Sequence, residues 1–158
     1  MDTKEVINTP LYSKEKTTAL LQDIFEDKSW EHECQEDGDL IVTYQGEHFV
    51  IEIARNGCHF RIWDLRWHEV SLENLANFAL MRKAVNECNE SSNAVLIYGI
   101  NEEEHEMYIH TRKDIDWIPL ISDLKTYLQN VLEAMLADHH RFYQTIENLR
   151  QEEYAKQN

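Results

Sequence analysis

The chain has 158 residues, enough for one ordinary domain with a real core, and its 42% hydrophobic and 10% aromatic content excludes an intrinsically disordered chain. A formal net charge of −15 argues against non-specific binding to nucleic acid or anionic membrane, since both repel an acidic protein. Three widely spaced cysteines, Cys34, Cys58 and Cys88, with no Cys-x-x-Cys pair argue against a disulfide framework or a thiolate zinc site.

The first twelve residues read as a tail and the remainder, 13–158, as a single domain. The opening Met1-Asp2-Thr3-Lys4-Glu5 lacks the basic and apolar regions of a signal peptide. No apolar run approaches the roughly 20 residues needed to cross a bilayer, so the expectation is a cytoplasmic protein. Ser13 to Lys28 reads as a helix, with Leu20, Leu21, Ile24 and Phe25 clustered at helical spacing. Glu36-Asp37-Gly38-Asp39 then turns the chain into a strand.

Two turn signals, Gln45-Gly46 and Asn56-Gly57, cut Asp37 to Trp67 into three runs rich in β-branched and aromatic residues, the pattern of consecutive hairpins. Two-residue loops set Val42 opposite Phe49, Leu40 opposite Ile51, Ile51 opposite Ile62 and Ile53 opposite Phe60. One face then carries Leu40, Val42, Phe49, Ile51, Ile53, Phe60 and Ile62, which is a core face. The other carries Ile41, Thr43, Val50, Glu52, Arg61, Trp63 and Leu65, with Trp67 beyond, and Glu52 opposes Arg61 as a cross-strand charge pair. Large apolar residues there imply a cover, from this chain or from a partner.

Ser71 is a candidate N-cap for a second helix running to about Asn89. Leu72, Leu75, Ala76 and Ala79 occupy one side of it; Phe78, Met81, Val85 and Cys88 occupy nearly the opposite side. A helix apolar on two sides must be buried twice. The second burial is expected to be a homodimer interface through Phe78, Met81 and Val85. Strands Ala94 to Ile100 and Glu106 to Arg112 follow, joined by the turn Asn101-Glu102-Glu103-Glu104. Trp117-Ile118-Pro119 is read as the opening of a long helix, proline being tolerated in a first turn. Its stripe runs from Leu124 through Leu128, Val131, Leu132, Met135, Leu136, Phe142, Tyr143 and Ile146 to Leu149. At 1.5 Å per residue, roughly 35 residues would reach about 50 Å, longer than a small domain is wide.

Candidate chemistry is sparse. Among eight histidines, His139 falls inside the apolar stripe and reads as a satisfied core residue, with a pH switch or a ligand as the functional alternative. There is no His-Glu-x-x-His, no nucleophile elbow, no phosphate-binding loop and no dinucleotide fingerprint. A histidine-based metalloprotein is the competing class. Trp30, Trp63, Trp67 and Trp117 are the residues most suited to partner contact, tryptophan being enriched at interface hot spots.

The order helix, three antiparallel strands, helix, two strands, long helix carries recognisable pieces. They are Asp37-Gly38-Asp39-Leu40 leading into Val42-x-Tyr44-x-Gly46-x-x-Phe49, then Ala84-Val85-Asn86-x-x-Asn89. Ile118-Pro119-Leu120 follows, ahead of Leu124-x-x-Tyr127-Leu128, with a late Phe142. In that order, over about Ser13 to Arg150, the chain resembles the YbjN-like family, whose fold is that of type III secretion chaperones. A proline usual after the third strand is replaced here by Asp64-Leu65-Arg66-Trp67. The resemblance implies a non-enzymatic module. Chaperones of this fold are small acidic dimers that hold non-globular segments of partner proteins, and the family supplies no catalytic residues to carry over. The expectation is thus an α+β domain with an antiparallel sheet of about five strands. It would bind a protein or peptide segment through Val50, Trp63, Leu65 and Trp67, as a chaperone-like holder or a regulator, with no cofactor, metal, nucleic acid or membrane partner.

Overall fold

A computed structural model describes residues 12–116 and 118–157. Ser13 accepts a hydrogen bond from the Lys16 N–H and starts helix α1, Lys14–Asp27. Leu21, Ile24 and Phe25 turn inward, whereas Leu20 stays largely exposed. The tail up to Leu11, and Trp117, lie outside the described residues.

Six strands follow: β1 (His32–Cys34), β2 (Leu40–Tyr44), β3 (Glu47–Ile53), β4 (Phe60–Ser71), β5 (Val95–Asn101) and β6 (Glu106–Ile115). They form one antiparallel sheet of order β1-β2-β3-β4-β6-β5. The two hairpin registers hold: Val42 pairs with Phe49, Ile51 with Ile62, Glu52 with Arg61 and Ile53 with Phe60. Gln45 and Gly46 both take positive φ, 51° and 88°, as a mirror-image two-residue turn requires. Gly57, with φ +68°, has no room for a side chain. A Cβ there would meet the Ser13 carbonyl oxygen at 2.3 Å, and Thr17 Oγ1 donates to the Gly57 carbonyl at 2.6 Å. The turn between β3 and β4 therefore seats the start of α1.

The strands differ from expectation in two places, one in number and one in length. The three-residue β1 is an added edge strand, too short and polar to stand out in sequence. Strand β4 continues to Ser71, because β6 is long enough to pair with it there. Helix α2 (Leu75–Asn89) consequently starts later, and Asn74, not Ser71, caps it by accepting from the Asn77 N–H. Ile118–Leu120 forms a separate short 3-10 turn, so Pro119 does not open the long helix. That helix is α3, Leu124–Gln157, with Asp123 Oδ1 accepting from the Thr126 N–H at its start.

All three helices pack on one side of the sheet. Under α1 and the first half of α3 lies a cluster containing Leu40, Val42, Phe49, Ile51, Phe60 and Ile62 with Leu128, Leu132 and Met135. Under α2 and the second half of α3 lies another, with Met81, Val85, Leu96, Met107, Ile109, Phe142 and Ile146. Between the two clusters, α3 presents Asp138 and His139 to the sheet layer in place of apolar side chains. The 34 residues of α3 thus span both cores.

The expected dimer residues are placed differently. Met81 and Val85 are 2% and 3% exposed, packed with Leu80, Ala84 and Cys88 inside this chain's own core, and Phe78 packs against the same cluster. Leu80 and Ala84 complete an i, i+3, i+4, i+7 stripe with Met81, Val85 and Cys88, and that stripe faces the sheet and α3. The outward side of α2 is the other one, where Leu75 is 74% exposed. No helix among the described residues is long and apolar enough to cross a membrane.

Candidate binding face

Because every helix covers the same side, the opposite side of the sheet is bare among the described residues. Strand alternation and register decide what it displays. A straight row of cross-strand partners crosses all six strands: Glu33, Ile41, Val50, Trp63, Arg112 and Val95. With strands about 4.8 Å apart, the row is about 24 Å long. Ile41, Val50 and Trp63 are half-buried, and Val95 is exposed.

A row of charges, Glu52, Arg61 and Asp114, runs beside it. Arg61 Nε donates to Asp114 Oδ1 at 2.5 Å, and this hydrogen bond raises the guanidinium above its already high ordinary pKa. Trp63 Nε1 donates to Glu52 Oε2 at 3.0 Å. The guanidinium carbons of Arg61 and Arg112 lie 5.8 and 5.7 Å from the indole centroid, within cation–π range. Arg112 Nε stands 3.5 Å from Asp114 Oδ2, an ion pair without a hydrogen bond. These contacts hold the Trp63 ring in place on the sheet.

At the other flank, β4 breaks register. Asp64 pairs with Thr111 and His68 with Ile109, so Leu65, Arg66 and Trp67 together stand opposite His110. Arg66 takes a positive φ of 55°, and its backbone N–H donates to His110 Nδ1 at 2.9 Å. Its guanidinium lies 3.7 Å from the Tyr108 ring centroid and pairs with Glu69 and Glu104. The Tyr108 hydroxyl donates to Glu104, and that bond pushes its pKa up to about 12. Burial, and then the charge of Arg66, hold the His110 imidazole below its ordinary value.

The bulge separates the four residues read as partner-binding. Val50 and Trp63 are direct neighbours on the outer face, and Leu65 is exposed at the edge of the bulge. Trp67 turns to the helix side, where it stacks on His139 with centroids 4.1 Å apart and donates from Nε1 to Thr111 Oγ1. His139 Nε2 in turn donates to the buried Asp64 Oδ2 at 2.7 Å. Trp30 packs against the core beside Phe25 and Tyr44. Arg112 and Val95 complete the outer row, and sequence reasoning missed them because β6 inserts between β4 and β5. Among the described residues no group of three His, Cys, Asp or Glu side chains is placed to hold a metal ion.

The architecture is thus a two-layer, open-faced α+β module. No family model matches the chain, and no curated protein matches it. Among solved structures, it is similar to the crystal structure of YbjN from E. coli, described as a proposed transcription regulator. The TM-score is 0.53 at 10% sequence identity, over 85% of this chain and 92% of that one. The chain has the YbjN-like fold.

Proposed function

We propose that the protein is a non-catalytic binding module that engages a partner protein through the bare face of its sheet. The observation that carries this is the row Ile41, Val50, Trp63, Arg112, Val95, a continuous apolar track interrupted by one cation on a face none of the three helices covers. With Glu33 at its β1 end, the full row is about 24 Å long and matches about 16 residues of α-helix. The occupant is accordingly an amphipathic partner helix laid across the strands. The row is acidic at its β1 end, at Glu33, where a helix's positive N-terminus belongs. Further along, Arg61 and Arg112 are matched by Glu52 and Asp114.

A regulatory role fits the description carried by the similar YbjN structure. At a net charge of −15, contact with a protein is favoured over direct contact with the DNA backbone. Holding a client segment, as a chaperone would, uses the same surface.

The test is a 16-residue helical peptide with a leucine stripe on an alanine-rich backbone. Native protein is expected to bind it at least tenfold more tightly than Trp63→Ala, a central hot-spot loss of about 1.4 kcal/mol or more. Equal affinities would contradict the proposal. Tighter binding on removal of residues 1–11 would make that segment, and not a partner, the occupant.

A further inference from the structure

A slot of about 310 Å³ opens on the helix side, between α3 and the segment leading into β5. It lies on the opposite side of the sheet from the binding face. Val131, Ala134, Met135 and Ala94 give it an apolar wall, and Lys113, Asp138 and Arg141 also line it. The volume falls at the lower end of the range for small-molecule sites.

Its charges are built in an unusual way. Lys113 pairs with Ile62 in the sheet and therefore belongs to the helix-side face, otherwise apolar at that level. Its Nζ donates to the Asn93 carbonyl at 2.6 Å. Asp138 occupies the inward stripe of α3 between Met135 and Phe142, with its side chain only 5% exposed. Its Oδ2 accepts from Ser92 Oγ at 2.7 Å, and its Oδ1 accepts from Arg141 at 2.9 Å. Ser92 Oγ also accepts from the Ala94 N–H, so the carboxylate braces one wall of the slot. Burial raises the Asp138 pKa, and the charges of Arg141, His139 and Lys113 oppose that rise.

Asp138 has its hydrogen bonds satisfied, and among the described residues Lys113 has no carboxylate within ion-pair distance. Two cations against one carboxylate leave the slot with a surplus positive charge, in a chain whose net charge is −15. A recess with an apolar wall and one surplus cation is complementary to a single carboxylate attached to an apolar body.

We propose that this slot binds a small apolar monocarboxylate. Its carboxylate reaches Lys113 and the free edge of the Arg141 guanidinium, and its body lies on Val131, Ala134 and Met135. The same chemistry is offered by a free organic acid and by the C-terminus of a peptide ending in an apolar residue. Calorimetric titration of the full chain with 4-phenylbutyrate and 4-phenylbutyramide, and with acetyl-Gly-Gly-Leu-Phe as free acid and as amide, separates the two sources.

The expected result is that at least one acid binds about tenfold or more tightly than its amide, as loss of a charged hydrogen-bonding group implies. Lys113→Gln should remove most of that preference. Ala134→Trp, at an exposed helix position, should block the slot and abolish binding. An acid and amide of equal affinity would overturn the proposal, as would an acid unaffected by Ala134→Trp or no binding of either acid at millimolar concentration.

Discussion

At the scale of single residues, the most consequential group is Asp64 with His139 and Trp67. The Asp64 side chain is 2% exposed, and His139 Nε2 donates to it at 2.7 Å beneath the Trp67 ring. Removing the donor strands a buried carboxylate, which is costly, whereas an amide in its place still accepts a hydrogen bond. His139→Ala is therefore expected to lower stability by about 3 kcal/mol, and Asp64→Asn by less than half as much, in urea denaturation. His139 was legible as a core residue because it interrupts an apolar stripe. Its partner was not, since Asp64 belongs to a strand 75 residues earlier in the chain. A second residue-scale effect concerns pH. Burial holds the imidazoles of His68 and His110 below their ordinary value. As pH falls through about 6.5, the unfolded chain takes up protons that the folded chain refuses, so stability falls until the folded values are passed. His68→Gln should flatten that part of a stability-versus-pH curve. Asp138, raised by burial, acts in the opposite sense. Its protonation favours the folded state at low pH, and that contribution is lost as pH rises through its folded value.

At the scale of elements, α2 shows how pattern and placement diverge. Its apolar residues were readable as two sides, but periodicity does not say which side the chain itself buries. The sheet takes the side containing Met81 and Val85 because Leu80, Ala84 and Cys88 extend it into a continuous stripe. Met81→Ala should then cost about 2–5 kcal/mol, as deletions in a filled core do, while Leu75→Ala should change stability by less than about 0.5 kcal/mol. Thermal or urea unfolding of the two variants checks the assignment. The hairpins were legible for the opposite reason. Positive-φ turn residues and strict alternation determine each other's register, and one slip would have exposed Leu40, Val42, Phe49 and Ile51 together. The segment Asp64-Leu65-Arg66-Trp67 was marked by the missing proline, but alternation carries no sign that Leu65, Arg66 and Trp67 together face one residue. The bulge sends Trp67 to the helix side and leaves Trp63 outside.

At the scale of the whole molecule, one sheet carries two unlike surfaces. The helix side holds two cores separated by Asp64, Asp138 and His139. Among the described residues the other side stays open, with its row of cross-strand neighbours from Glu33 to Val95. The alternation of β2, β3 and β4 revealed the apolar residues of the open side. The order of β6 and β5, set by pairings distant in sequence, determined that Arg112 and Val95 would extend the row. Binding through this face is the central claim. The most direct measurement is mapping of backbone and indole NMR shifts while the 16-residue amphipathic peptide is titrated in. The account predicts changes concentrated on Ile41, Val50, Trp63 and Val95, with the helix-side residues Leu128, Met81 and Phe142 unmoved. Changes confined to the helices, or none on the open face at millimolar peptide, would contradict it.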